Sequence, residues 1–387
     1  MTTSSPLRVA LIGVVLSATA LIPLQGTAFA AQHDTAGPAA PAPASATSVA
    51  GIEDETALAL AGSLTDQAWQ RQVRTATLAA DSVDLRALTG ASTTSAGKRL
   101  SSGVAAADRG VAAAKGLGSD MGSLLRVRLA DPSMETALAR GAAPLVAAAP
   151  SDDDASTFTA YDSEGAAHEL SLDAAPDRPV YLVDIDGTKA VTEGMKLINE
   201  ALEAKGLDVP VPAARLNAVA PAAAAGIDTT LINSVRLSDD EEPWFKGDAE
   251  IFTLVTGFGK DGKPRVDTVE MPYLNKDSTT YYPNQVLVNW SNYKYDMADA
   301  VMMEDDGDTN YQALAKAIVT VLLTITDQGV YIPLADALLD AIPTAWWTDD
   351  PDYVDSWYTL AKSTKGTRNG AAANGWMNVS PYHVAAL

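Results

Sequence analysis

Leu237-Ser-Asp-Asp-Glu-Glu-Pro-Trp-Phe-Lys-Gly-Asp-Ala-Glu-Ile-Phe252 runs an acidic loop straight into an apolar segment that reads as a strand. It also marks where the chain changes character. Ala dominates the first 230 residues, whereas six of the seven Trp and ten of the twelve Tyr follow residue 240. Aromatic and β-branched side chains suit a pleated, half-buried surface, so residues 230–387 are expected to form an antiparallel β-sandwich. Turns at Lys260-Asp-Gly-Lys263 and Asn275-Lys-Asp277 separate strands expected at 250–257, 266–271, 285–290, 299–303, 353–360 and 375–379. The strand at 285–290 alternates, which puts Val286, Val288 and Trp290 on one face. Between the strands, residues 309–343 read as a helical insertion with apolar runs at 313–325 and 334–342. The first run contains Lys316 and is too short to cross a membrane, so it is expected to pack across one sheet.

Upstream, the chain opens with Arg8, an apolar run over residues 9–24 and Ala28-Phe29-Ala30 before Ala31. This is the order of a secretory signal peptide over 1–30, and it predicts a secreted, extracellular protein. Residues 31–52 are Ala, Pro, Ser and Thr with few large apolar side chains, as in a disordered linker. Residues 53–208 read as a helical and small α/β region. Leu58, Leu60, Leu64, Trp69, Val73 and Leu78 recur at helical spacing in a helical stretch expected to reach residue 129. A hairpin is expected over 158–170, then a buried strand at 180–183. A helix carrying Val191, Met195, Ile198 and Leu202 should follow and end at Lys205-Gly206. Residues 209–229, rich in Pro and Ala, read as a second linker.

The formal charge of -22 over 387 residues argues against nucleic acid as a partner and points to divalent cations as counter-charge. The chain has no Cys, which excludes disulfides, thiolate metal sites and a thiol nucleophile. The expected partner is an extracellular or cell-surface ligand, with no transmembrane segment left after signal cleavage.

Calcium takes six to eight oxygen ligands from flexible loops. Met303-Glu-Asp-Asp-Gly-Asp-Thr-Asn-Tyr311 is a second acidic loop at a strand end, and the two loops could share one ion. Glu304, Asp306 and Asp308 lie in it, but the spacing lacks the twelve-residue pattern of an EF-hand. It resembles the third calcium loop of C2 domains, and Asp240 and Asp248 match the roles that C2 domains give to their first loop. Ala249 and Glu250 stand where C2 domains usually have Pro and an aromatic residue, and Glu304 stands where Asp is usual. A third acidic group, Asp349-Asp350-Pro351-Asp352, precedes the strand at Tyr353 and fits either end of the sandwich. Asp350 and Asp352 thus join the candidate ligands of a calcium ion. Asp and Asn also favour solvated turns without any ion.

Over roughly its last 155 residues the chain also resembles a bacterial exported family catalogued as domain of unknown function 3103. The residues that carry this resemblance are Asp240-Glu-Glu-Pro-Trp244, Ala249-Glu-Ile251, Met271-Pro-Tyr-Leu274, Tyr281-Tyr-Pro-Asn284, Thr309-Asn-Tyr311 and Asp352-Tyr-Val-Asp355. It implies secretion and a shared architecture, and no substrate. The expected class is therefore α+β, an N-terminal helical and small α/β region followed by a C2-like antiparallel β-sandwich with a helical insertion. The expected function is that of a secreted calcium-binding module, structural or binding.

The alternative is an extracellular hydrolase that depends on a metal or on carboxylates. Val183-Asp184-Ile185-Asp186-Gly187-Thr188 resembles the nucleophile loop of haloacid-dehalogenase-type phosphatases, in which the first Asp attacks phosphorus and the second serves as acid and base. A strand ending in a polar turn explains the same residues. His33, His168 and His383 are scattered and form no zinc-protease motif. Gly118-Ser119-Asp120-Met121-Gly122 is no nucleophile elbow.

Overall fold

The computed structural model describes residues 48–150, 156–172, 174–207, 226–238, 249–305, 307, 309–341 and 353–385. The first half runs α1 (Val49–Ser63), α2 (Gln67–Thr77), β1 (Val83–Asp84), α3 (Leu85–Gly90), α4 (Ser95–Ala114), β2 (Leu125–Leu129), α5 (Glu135–Ala139), β3 (Leu145–Ala148), β4 (Thr157–Tyr161), β5 (Ala167–Ser171), β6 (Val180–Ile185) and α6 (Gly187–Glu203). The second runs β7 (Ile227–Leu237), β8 (Ile251–Phe258), β9 (Pro264–Glu270), β10 (Gln285–Asn289), β11 (Met297–Glu304), α7 (Tyr311–Leu322), α8 (Ala335–Ala341), β12 (Tyr353–Ala361), β13 (Gly366–Asn369) and β14 (Gly375–Val384). The architecture is mixed, with helices and three largely antiparallel sheets.

Side-chain caps set where the helices begin. Ser48, Asp66, Thr94, Asp186 and Asn310 each accept a backbone N–H from the first turn of α1, α2, α4, α6 and α7, which satisfies donors that a helix start leaves open. At the far end of α6, Gly206 takes a positive φ and the Leu207 N–H bonds the Leu202 carbonyl, as a Schellman-type stop requires.

The first sheet has the order β1-β2-β6-β3-β4-β5 and is antiparallel except where β3 and β6 run side by side. Helices α1 to α4 cover one of its faces, with Trp69 wholly buried and its indole N–H donating to the Ser63 hydroxyl at 2.8 Å. The other sheets are β10-β7-β14-β13 and β12-β11-β8-β9, and residues from both share one apolar cluster around Trp290, Tyr293, Trp357 and Met377. The opposite side of the β12-β11-β8-β9 sheet, with Phe252, Leu254, Val301 and Met303, belongs to the same core as α6, α7 and the helices of the first half. That core therefore draws on residues from both sides of the Pro/Ala-rich stretch at 209–229.

Several details differ from the sequence expectation: α1 begins at Val49, inside the expected linker, β13 is an added strand, and three further differences follow. Leu125-Arg-Val-Arg-Leu129, expected at the end of a helical stretch, is strand β2, because its apolar residues recur every second position. β7 was not expected as a strand, and it lies inside its sheet between β10 and β14. In β10 a bulge between Val286 and Val288 breaks the expected alternation, leaving Val286 38% exposed while Leu287 and Val288 are buried.

Candidate functional site

The antiparallel register fixes where the acidic segments join the third sheet. Glu304, the last residue of β11, lies opposite Ile251, the first of β8, and Met303 lies opposite Tyr353, the first of β12. One end of this sheet therefore receives the chain from residues 239–250, releases it into 305–310 and receives it again from 349–352. Asp240, Asp248, Asp306, Asp308, Asp350 and Asp352 lie outside the described residues. Glu304 is described, and it is buried at 1% exposure. Among the described residues no three His, Cys, Asp or Glu side chains form a group able to hold a metal ion.

Next to Glu304, Asp305 sits in an ion pair that the sequence did not disclose. Lys115, at the C-terminal end of α4, brings its Nζ to 3.2 Å from Asp305 Oδ1, and both side chains are wholly buried. The same ammonium donates to the Gly307 carbonyl at 3.0 Å and lies over the Tyr311 ring, 5.6 Å from its centre. Two further bonds hold the loop to α4: Tyr311 N–H to the Lys115 carbonyl at 2.9 Å, and Asn310 Nδ2 to the Ala114 carbonyl at 2.6 Å. Burial raises the Asp305 carboxyl above its ordinary range, and the Lys115 charge works against that shift. Burial, then the Asp305 charge, pushes the Tyr311 phenol well up.

This floor opens into a cleft of about 860 Å³, lined also by the Asp184-Ile185-Asp186-Gly187-Thr188 motif at the junction of β6 and α6. Arg126 and Arg128, alternate residues of β2, stand on the same face. Arg128 Nε bonds Asp184 Oδ2 at 3.1 Å, and Asp184 Oδ1 accepts the Ile185 N–H at 2.7 Å. Asp186 pairs with Arg126 through one oxygen and caps α6 through the other, accepting the Lys189 N–H at 3.2 Å. Asp84 lies 3.7 Å from the other side of Arg126. Burial acts to raise the Asp84 carboxyl, but hydrogen bonds from the Ala87 N–H and the Ser123 hydroxyl, with the Arg126 charge, bring it below its ordinary value. The motif thus ends in a helix cap instead of a β-turn.

Two glycines set how closely the halves approach. A Cβ on Gly187 would stand 2.3 Å from the Glu250 carboxyl carbon, so this carboxylate rests against the first turn of α6 only because the side chain there is a hydrogen. A Cβ on Gly194 would stand 2.2 Å from the Tyr311 ring, and α6 packs directly on α7. Of the three His, two are described. His168 bonds Asp162 at 2.9 Å and His383 bonds Asp228 at 2.7 Å, neither at the cleft. Sequence reasoning missed Lys115, Glu250, Arg126 and Arg128. The one local signal for the arginines is their alternation with Leu125, Val127 and Leu129, and nothing local marks the other two.

No helix among the described residues is long and apolar enough to cross a membrane. No curated protein and no solved structure matches the chain. A family model described as "Protein of unknown function (DUF3103)" matches residues 55–386, so the likeness seen in the last 155 residues extends through the helical first half as well. The chain belongs to the DUF3103 family.

Proposed function

We propose that the protein is exported, and that its two packed antiparallel sheets form a C2-like module stabilised by calcium, in a structural or binding role toward an extracellular ligand. In this reading Asp240, Asp248, Glu304 and Asp306 hold the ion, with Asp308, Asp350 and Asp352 beside them. The observation that carries it is the register: β8 begins, β11 ends and β12 begins at one end of a sheet, so three acidic segments attach within adjacent strands. Carboxylates gathered at that density repel one another unless a cation neutralises them. The single described ammonium there, Lys115, meets Asp305. Export is supported by the basic, apolar and small-residue order of the first thirty residues.

A ligand that binds only the native state raises its stability, by roughly 2.7 kcal/mol when its concentration is one hundred times Kd. Thermal denaturation in millimolar calcium should therefore give a higher midpoint than in chelator, and an identical midpoint would sink the reading. A hydrolase is the second reading, favoured because Asp184 and Asp186 line a cleft of about 860 Å³. Against it, Arg128 and a neighbouring N–H engage Asp184, while Asp186 is spent as a helix cap and in the Arg126 pair. Release of nitrophenol from p-nitrophenyl phosphate, abolished by Asp184→Asn, would favour the hydrolase.

A further inference from the structure

We propose that the buried Lys115–Asp305 pair is the precursor of a covalent cross-link, an isopeptide bond between Lys115 Nζ and Asp305 Cγ that staples α4 to the loop after β11. The inference does not rest on calcium. Lys115 Nζ stands 3.2 Å from Asp305 Oδ1, and both side chains are wholly buried. The carboxyl carbon is therefore at most one C–O bond, about 1.2 Å, further from the nitrogen. Three contacts hold the two groups in place. The Tyr311 N–H bonds the Lys115 carbonyl at 2.9 Å, Asn310 Nδ2 bonds the Ala114 carbonyl at 2.6 Å, and the ammonium itself donates to the Gly307 carbonyl at 3.0 Å. Groups fixed in this way react with effective molarities of about 10⁵–10⁸ M, which favours a condensation that free amines and acids in water do not complete.

The step balances without an oxidant or a co-reactant. One proton passes from the ammonium to the carboxylate, which frees the nitrogen lone pair to attack Cγ. The tetrahedral intermediate then expels a carboxyl oxygen as water; two of the three Nζ hydrogens leave with it and the third stays on the amide. The Thr309 and Tyr311 hydroxyls are turned to the Asp305 carboxyl as hydrogen-bond donors, placed to steady the negative charge that builds on its oxygen during attack. Asp305 and Gly307 line the cleft, so the water has a way out, while the buried amide is shielded from hydrolysis. Because the ground state is the ion pair, the bond closes slowly: freshly folded protein carries the pair and aged protein the link. The chain has no Cys, so no disulfide can tie these two segments together. An amide between them encloses everything from α4 to β11 in one loop and restrains the unfolded chain as a disulfide would.

The test is peptide mapping of the whole chain, freshly folded and after several days at neutral pH, by protease digestion and tandem mass spectrometry. A branched peptide joining the segments that hold Lys115 and Asp305, lighter by one water than the two together, is expected to accumulate with age. The melting midpoint should rise with it. Lys115→Arg and Asp305→Ala should give no branched peptide. Its absence from the aged natural chain would overturn the proposal, whether or not either variant folds. So would its persistence in either variant, or loss of one water with no branch, the mark of an Asp side chain cyclised onto its own backbone.

Discussion

Replacing Lys115 by Met keeps the length of the side chain and removes the ammonium bonded to Asp305. At 3.2 Å, with an effective dielectric near 20, the attraction between these charges is about 5 kcal/mol. Because both side chains are wholly buried, no water replaces the lost partner, and breaking such a pair costs roughly 3–5 kcal/mol. The cost should depend on pH in a definite direction. Burial already raises the folded carboxyl of Asp305 above its unfolded value of 3.8, and without Lys115 it rises further. The folded state then holds a proton that the unfolded state has lost, so stability falls as pH climbs from the unfolded value through the folded one. Lys115→Met should be most damaging at neutral pH and progressively less so toward pH 4. Adding Asp305→Asn should restore most of the loss at pH 7, because no buried charge then remains unpaired. Urea denaturation of the three variants at pH 7 and pH 5 measures this. A loss below about 1 kcal/mol at pH 7, or one equal at the two pH values, would refute the reasoning.

Gly194→Ala gains about 1 kcal/mol of helix propensity but drives a methyl into the Tyr311 ring at 2.2 Å, so urea unfolding should show a net loss of about 1–2 kcal/mol. Pairing it with Tyr311→Leu should make the two effects non-additive. Gly187→Ala should displace the Glu250 carboxylate from the start of α6, read as a loss of about 1 kcal/mol in the same urea assay. Asp355 is wholly buried and accepts N–H bonds from Ser356, Ala372 and Gly375 at 2.8–2.9 Å, so Asp355→Ala should destabilise by about 3 kcal/mol or more in the same denaturation assay.

The elements that sequence disclosed are those with a local cause. Val180 to Val183 is a short apolar run, and the aromatic and β-branched residues around Val255, Val266 and Trp357 mark the strands of the two smaller sheets. β7 was harder to see, since Thr229, Thr230 and Ser234 are buried polar residues where alternation predicts apolar ones. Trp290 Nε1 donates to the Thr230 hydroxyl at 3.0 Å and the Thr229 hydroxyl donates to the Tyr382 carbonyl, partners that no window of sequence contains. The acidic segments were legible as charge, but their attachment at one sheet end is a matter of register between strands. The cleft was not legible, because Arg126, Asp186, Glu250 and Asp305 meet only after the helical half and the aromatic half have packed.

The pairing of β7 with β14 also governs how the chain can reach this state. β7 lies inside its sheet, and one of its two ladders is supplied by residues 375–384, far along the sequence from β7 itself. Until those ten residues are available, a strand of buried Thr, Ser and Val has a bare hydrogen-bonding edge, and closing so long a loop is entropically slow. A growing chain can therefore assemble the helical half early but cannot finish the second sheet until residues 375–384 have emerged, so β7 waits through the making of every strand between them.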